Sequence, residues 1–203
     1  MRMTYPGLRE YLQTPASVGQ AHAGECVISN CPYDPVRYDI PHVARHTATT
    51  AYIALGSNLG DREENLRTAI DHISKLDSVE VTRVSSFLEN AAIGSGDDAP
   101  PFLNAALEAS TTVAAHPLLH QLLDIEKKMG RVRRTRWEPR VIDLDLVLYG
   151  NHIISSQELI VPHPLMHERR FVLAPLAEIA PEAVHPMLQM TMRGLLEDLG
   201  PSS

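Results

Sequence analysis

The residues best equipped for chemistry lie in one run, RVRRTRWEPRVIDLDLVLYG, residues 131–150. Arg131, Arg133, Arg134, Arg136 and Arg140 place five guanidinium groups in ten positions of a chain whose net charge is −7. Clustered like charges repel, so the arrangement calls for an anion, and the planar donor fork of arginine matches phosphate oxygens. Fifteen of the eighteen Lys and Arg residues are Arg, which favours directed phosphate contacts over diffuse positive charge. Asp143 and Asp145 follow, two apart. On a strand both point to one face, while Ile142, Leu144, Leu146 and Leu148 point to the other. Residues so spaced stand roughly 6.5–7 Å apart at the backbone. Converging carboxylates suit a hard divalent cation such as Mg²⁺, which keeps water and substrate phosphates as its other ligands. Two such ions about 3.5–4 Å apart could bridge the acid pair and a nucleotide's phosphates. Taken alone, an Asp-x-Asp reads first as a solvated strand edge, because the motif is short; the adjoining arginines shift the reading toward phosphate chemistry. Trp137, inside the arginine loop, is either a packing anchor or part of a water-excluding lid.

Three further polar residues have two readings each. Glu126 on the preceding helix is a solvated surface residue or a functional one. Asn104, between Phe102 and Ala106 in a strand-like segment, marks a bulge or reads the edge of a heterocycle. His163 in IVPHP is a turn residue or a phosphate donor. His72 and His120 read as ordinary surface histidines.

A chain of 203 residues suits one domain plus an appendage. No apolar run approaches the roughly 18 residues of a membrane helix, and the N-terminus has no apolar secretory segment; the expected location is the cytoplasm, without membrane contact. Cys26, Cys31, His42 and His46 faintly resemble a zinc-finger spacing, but Pro41 directly before His42 opposes the helix such a finger needs. Net acidity argues against nucleic acid as a partner, since phosphate-backbone affinity depends on a basic face.

These residues need elements to hold them. Residues 1–48 show no sustained period and read as a partly disordered extension; residues 49–203 read as the domain. TTAYIALGSNLG is a strand ending in turn residues, and DREENLRTAIDHISKL is a helix with a capping box of Asp61 and Glu64. VEVTRVSSFL and PFLNAALEASTTV are strands, and HPLLHQLLDIEKKMG is a second helix with Pro117 near its start and Gly130 past its end. VIDLDLVLYG is a strong strand, and the Gly150-Asn151 turn leads to an expected hairpin partner, HIISSQ. A short strand, a helix around HERRFVLAPLAEI and a terminal helical piece, TMRGLLEDL, complete the chain. The order is that of an α+β, ferredoxin-like split βαβ sandwich: an antiparallel sheet with helices on one face, its acidic face toward solvent, and an extra C-terminal hairpin and helical segment.

The motifs YIALGSNLGD, FLNAAL, IEKKMGRVR, RWEPRVIDLDLVLYG and VPHPLMHERRFVLAPLAEIAP, in this order, resemble the 6-hydroxymethyl-7,8-dihydropterin pyrophosphokinase family of folate biosynthesis over about residues 50 to 190. The resemblance implies transfer of the β,γ-pyrophosphate of ATP to the pterin hydroxymethyl group, with release of AMP. It implies two Mg²⁺ ions on Asp143 and Asp145, and phosphate contacts from Arg131, Arg133 and Arg140. Glu126, Leu146, His163 and Arg169 are implied on the nucleotide side. Phe102, Asn104, Phe171 and Ile93 are implied around the pterin, and Trp137 in a lid that shuts over both substrates. Arg131, Arg140 and Trp137 are thereby the expected catalytic residues of an ATP- and Mg²⁺-dependent transferase, expected to act as a monomer. Positioning and charge neutralisation carry such a reaction, and no general base is required of the protein.

Two departures stand out: Glu138 where the family usually has glycine after the tryptophan, and Ala91-Ala92 in a loop that usually carries threonine and proline. Both predict altered loop kinetics in an active enzyme. The alternatives are another Mg²⁺-dependent nucleotidyl or phosphoryl transferase, and a non-catalytic module that binds single-stranded RNA on an open sheet.

Overall fold

The computed structural model describes residues 47–90, 100–130 and 140–200. Cys26, Cys31, His42, His46, Ala91, Ala92, Ile93, Arg131, Arg133, Arg134, Arg136, Trp137 and Glu138 lie outside the described residues.

Strand β1, Thr49–Ser57, turns Ala51, Ile53 and Leu55 to one face, all at most 2% exposed. Helix α1, Arg62–Ser74, starts as its capping residues dictate: the Asp61 carboxylate accepts the Glu64 N–H at 3.0 Å. Its stripe of Leu66, Ala69 and Ile73 is buried at helical spacing. The segment expected as one strand is two, β2 (Val79–Val84) and β3 (Leu88–Asn90). The break follows from serine chemistry. Ser85 takes both backbone groups of Ala106, its N–H donating to the Ala106 carbonyl and its Oγ accepting the Ala106 N–H, each at 2.9 Å. Ser86 is then drawn away to the Glu178 carboxylate.

Strand β4, Phe102–Thr111, and helix α2, Ala115–Lys128, follow, and Gly130 leaves α2 at φ +91°, where glycine is at ease. Strand β5, Asp143–Tyr149, completes a fully antiparallel sheet in the order β2-β4-β1-β5, with β3 also paired to β4. This is the split βαβ order that the alternation of elements predicts.

Residues 152–157 do not pair with β5 as a hairpin. Strand β6, Ile154–Ser155, pairs instead with β7, Ile160–Val161, as a separate two-stranded sheet. The reason is local: the Ser156 N–H donates to the Leu159 carbonyl at 2.9 Å and the Leu159 N–H to Ser156 Oγ at 3.0 Å, closing a tight turn. Beyond β7 the chain runs back along the β5 edge, where the His163 N–H donates to the Val147 carbonyl at 3.0 Å.

Helix α3, Arg170–Ile179, and helix α4, Met192–Asp198, account for the predicted C-terminal helices. They also correct an expectation. The second face of the sheet is not left to solvent, because Val172, Leu173, Leu176, Met192 and Leu195 bury Ala106, Val147 and Leu148 there. Helices therefore cover both faces, with α1 and α2 over the first core. Leu148 belongs to the second core rather than the first, because a register shift between Tyr52 and Ile53 breaks the alternation of β5. Asp143 and Asp145 keep partial exposure at the far end of that second face.

Candidate functional site

The site is built on a cross-strand row. Gly56 of β1 stands opposite Asn104 of β4 on one side and opposite Asp143 of β5 on the other. The next row on the same face is Ala106, Ala54 and Asp145. Strands about 4.8 Å apart place Asn104 and Asp143 about 10 Å from each other at the backbone. An amide and a carboxylate pair thus flank a floor of glycine, one small molecule apart.

Gly56 leaves its neighbours room that a side chain would press on. A Cβ there would meet Asn104 Oδ1 at 3.3 Å and Phe102 Cδ1 at 3.7 Å. Asn104 is 5% exposed, in unbroken register, which excludes the bulge reading. Its Nδ2 donates to the Leu88 carbonyl at 3.4 Å and to Asn90 Oδ1, so β3 orients the amide. Phe102 shares its face two positions away. Phe171 of α3 packs on the second core, with the Arg169 guanidinium 5.8 Å from its ring centroid.

At the other end of the row, Asp143 accepts from Arg140 Nη1 at 2.8 Å. His163 is brought to the same place from the β7–α3 connection. Its Nδ1 accepts the Leu165 N–H at 3.3 Å, so a neutral ring carries its proton on Nε2. Burial holds its pKa below the ordinary histidine value, the Arg169 charge pushes the same way, and the Asp143 carboxylate opposes both. Feeling both charges at once, His163 belongs to the cluster of Asp143 and Arg169. In its neutral form the ring presents Nε2–H as a donor.

The donor set can be tested against magnesium. Among the described residues no group of three or more His, Cys, Asp or Glu side chains forms a metal cage. Two carboxylates on one strand face are nevertheless what Mg²⁺ takes from a protein when substrate phosphates and water complete its octahedron. The residues fit the ion on those terms.

Two residues implied on the nucleotide side are buried. Leu146 is 3% exposed in the core between the sheet and α1 and α2, because strand alternation sends it opposite to Asp143 and Asp145. Glu126 is 1% exposed, which excludes a solvated helix residue. Its carboxylate accepts the Leu144 N–H at 2.7 Å, a bond to the backbone of β5 between the two aspartates.

Sequence reasoning missed Ser57 and Asn58. They are 0% and 3% exposed, unusual for polar residues leaving a strand. The Asn58 N–H donates to the Arg140 carbonyl at 3.1 Å, and Asn58 Oδ1 accepts the Arg140 N–H at 2.7 Å. Asn65 Nδ2 of α1 in turn donates to Ser57 Oγ at 3.1 Å and to the Leu59 carbonyl at 2.8 Å. The available signal was the Gly-Ser-Asn run at the end of β1, where an Asn side chain commonly bonds nearby backbone.

The model of the family 7,8-dihydro-6-hydroxymethylpterin-pyrophosphokinase (HPPK) matches residues 52–181. The 2-amino-4-hydroxy-6-hydroxymethyldihydropteridine pyrophosphokinase of Bacillus subtilis (strain 168) is 50% identical over 129 residues, 64% of this chain and 77% of that protein. The Haemophilus influenzae protein of the same name is 44% identical over 141 residues, covering 70% and 88%. Among solved structures, an HPPK-DHPS triple mutant of Plasmodium falciparum superposes with a TM-score of 0.58 at 14% identity. That match covers 75% of this chain and 43% of the other, and shares the fold. Fold and site define a split βαβ domain that gathers an acid pair, an arginine and a neutral histidine at one end of its sheet, the means to hold a polyanion with its cations. The chain belongs to the 7,8-dihydro-6-hydroxymethylpterin-pyrophosphokinase family.

Proposed function

We propose that this chain transfers the pyrophosphoryl group of ATP to 6-hydroxymethyl-7,8-dihydropterin in folate biosynthesis, giving the pterin diphosphate and AMP, through residues 49–203. Family membership supports the reaction. The observation that supports the site assignment is the row of Asn104, Gly56 and Asp143, an amide and a carboxylate on one face, as a heterocycle reader beside a phosphate-end carboxylate requires.

In this reading the pterin lies over Gly56 between Phe102 and Phe171, with the Asn104 amide on its edge and Ile93 beside it. Aromatic faces on both sides supply apolar contact, and the single amide fixes orientation. Its hydroxymethyl oxygen then points along the row toward Asp143. Arg140, Arg169 and the Nε2–H of His163 donate to phosphate oxygens. Asp143 and Asp145 would hold two Mg²⁺ ions, whose chemistry when bound would be to neutralise charge on the triphosphate and orient it. Arg131 and Arg133 extend the phosphate contacts, and Trp137 helps exclude water. The alcohol oxygen attacks the β-phosphorus in line, the bond from that phosphorus to the α,β-bridging oxygen breaks to release AMP, and the alcohol proton passes to a phosphate oxygen or water, so the residues contribute positioning and charge neutralisation. Glu126 supports this arrangement through β5. The protein acts as a monomer in the cytoplasm.

The test is product analysis with purified protein, ATP, Mg²⁺ and the pterin. Stoichiometric AMP and pterin diphosphate support the assignment. ADP or free pyrophosphate would instead identify a different phosphoryl or nucleotidyl transferase.

A further inference from the structure

We propose that Asn58 is the positioning residue for Arg140. The inference rests on the reading above only for what Arg140 grips; the clamp itself stands on geometry. Strand β1 ends at Ser57, one residue past the pairing of Gly56 with Asp143. Beyond that point the β1–β5 ladder has no further strand pair, yet the two chains stay joined. Asn58 gives its N–H to the Arg140 carbonyl at 3.1 Å and receives the Arg140 N–H on Oδ1 at 2.7 Å. The side-chain amide thus replaces the backbone carbonyl that a longer strand would have offered. Both peptide groups of Arg140 that could hydrogen-bond are held by one residue.

The clamp is anchored from behind. Asn58 is 3% exposed and Ser57 fully buried, and Asn65 of α1 bonds both Ser57 Oγ and the Leu59 carbonyl. A path of short bonds therefore runs from α1 through the β1–α1 turn to the Arg140 backbone, and from the Arg140 guanidinium to Asp143 at 2.8 Å. Asn58 reaches no substrate in this scheme. It acts by fixing where the guanidinium starts from, and a misplacement of about 1 Å at such a group can cost about 100-fold in rate.

The experiment is a double-mutant cycle of Asn58→Ala and Arg140→Ala, read by calorimetry as the affinity for a methylene-bridged, non-reacting ATP analogue with Mg²⁺, and separately as kcat for AMP release. Asn58→Ala is expected to weaken analogue binding and to lower kcat about 30-fold in the wild-type background. In the Arg140→Ala background the same change is expected to alter either quantity by less than about twofold, because its target is gone. Amide exchange at Arg140 should speed up in Asn58→Ala while Leu107 in β4 stays protected. Equal losses in both backgrounds, or unchanged protection at Arg140, would overturn the proposal. Should the alanine variant not fold, Asn58→Asp carries the same cycle: it keeps the Oδ acceptor and is expected to stay within about fivefold of wild type, and a loss as large as that of Arg140→Ala would overturn the clamp. Failure of the pyrophosphokinase reading is seen separately, as wild-type protein that binds the analogue and releases no AMP.

Discussion

Glu126 offers the most exposing test of how the acid pair is held. Strand β5 is the sheet's edge, so the Leu144 N–H that points away from β1 has no strand to receive it; the buried Glu126 carboxylate takes it at 2.7 Å. Glu126→Ala removes that acceptor. An orphaned buried N–H costs about 1–3 kcal/mol. For a chain of this size each kcal/mol shifts Tm by about 2–4 °C, so the central expectation is a fall of about 6 °C in the ligand-free protein. Glu126→Gln keeps an acceptor oxygen at the same reach but makes the bond neutral, roughly half as strong, and should fall about 3 °C. Because Leu144 sits between Asp143 and Asp145, the alanine variant should also need more Mg²⁺ for half-maximal activity than the glutamine variant. Thermal unfolding by circular dichroism, followed by a Mg²⁺ titration of AMP release, reads both. An alanine variant that melts within about 1 °C of wild type while losing nucleotide affinity would refute the reasoning, and would return Glu126 to direct contact with the nucleotide.

Other outcomes follow from the same geometry. Asp145→Ala should lower turnover by about 100-fold or more, the scale of losing one preorganised charge. Its far-UV circular dichroism spectrum should match wild type; a collapse of that spectrum alongside the lost activity would mark a structural role instead. Gly56→Ala puts a methyl 3.3 Å from Asn104 Oδ1; displacing that amide should raise the pterin KM about tenfold, the worth of one hydrogen bond, with the ATP KM unchanged, and an unaltered pterin KM would remove Asn104 from the pterin site. His185 is buried, its Nδ1 accepting the Leu188 N–H at 3.2 Å; burial first, then the charge of neighbouring His167, holds its pKa below the ordinary 6.5. The folded pKa lies below the unfolded one, so the unfolded chain takes up the proton first as pH falls. Stability present above about pH 6.5 should be lost from there down toward the folded pKa. His185→Asn should flatten part of the Tm decline as pH falls below about 6.5, and parallel declines in variant and wild type would contradict the assignment.

How legible this molecule was depended on where each signal resides. β1, α1, α2 and β5 carry their own instructions in the alternation of Ala51, Ile53 and Leu55, the Asp61 cap, the Leu118–Leu122–Ile125 stripe and the Asp143-x-Asp145 pattern. What stayed hidden is set by partners distant in the chain. Nothing between residues 79 and 88 announces that Ser85 will exchange bonds with Ala106 and end β2 early. The departure of residues 152–157 from β5 follows from a turn closed by Ser156. At the site, the aspartates and Asn104 were readable because strand alternation fixes their face. That same rule turns Leu146 into the first core. Glu126 and Asn58 were obscure because their partners are backbone groups, which carry no residue identity to read.

The central claim, that Asp143 lets β5 hold a magnesium-bearing triphosphate in line with a pterin at Asn104, is tested most directly by calorimetry. The ATP analogue and then the pterin are titrated into wild type and Asp143→Ala, each with and without Mg²⁺. The account predicts Mg²⁺-dependent analogue binding in wild type, loss of that dependence in the variant, and pterin binding that tightens only after the Mg²⁺-loaded analogue is in place. A variant that binds the analogue with wild-type Mg²⁺ dependence would contradict it.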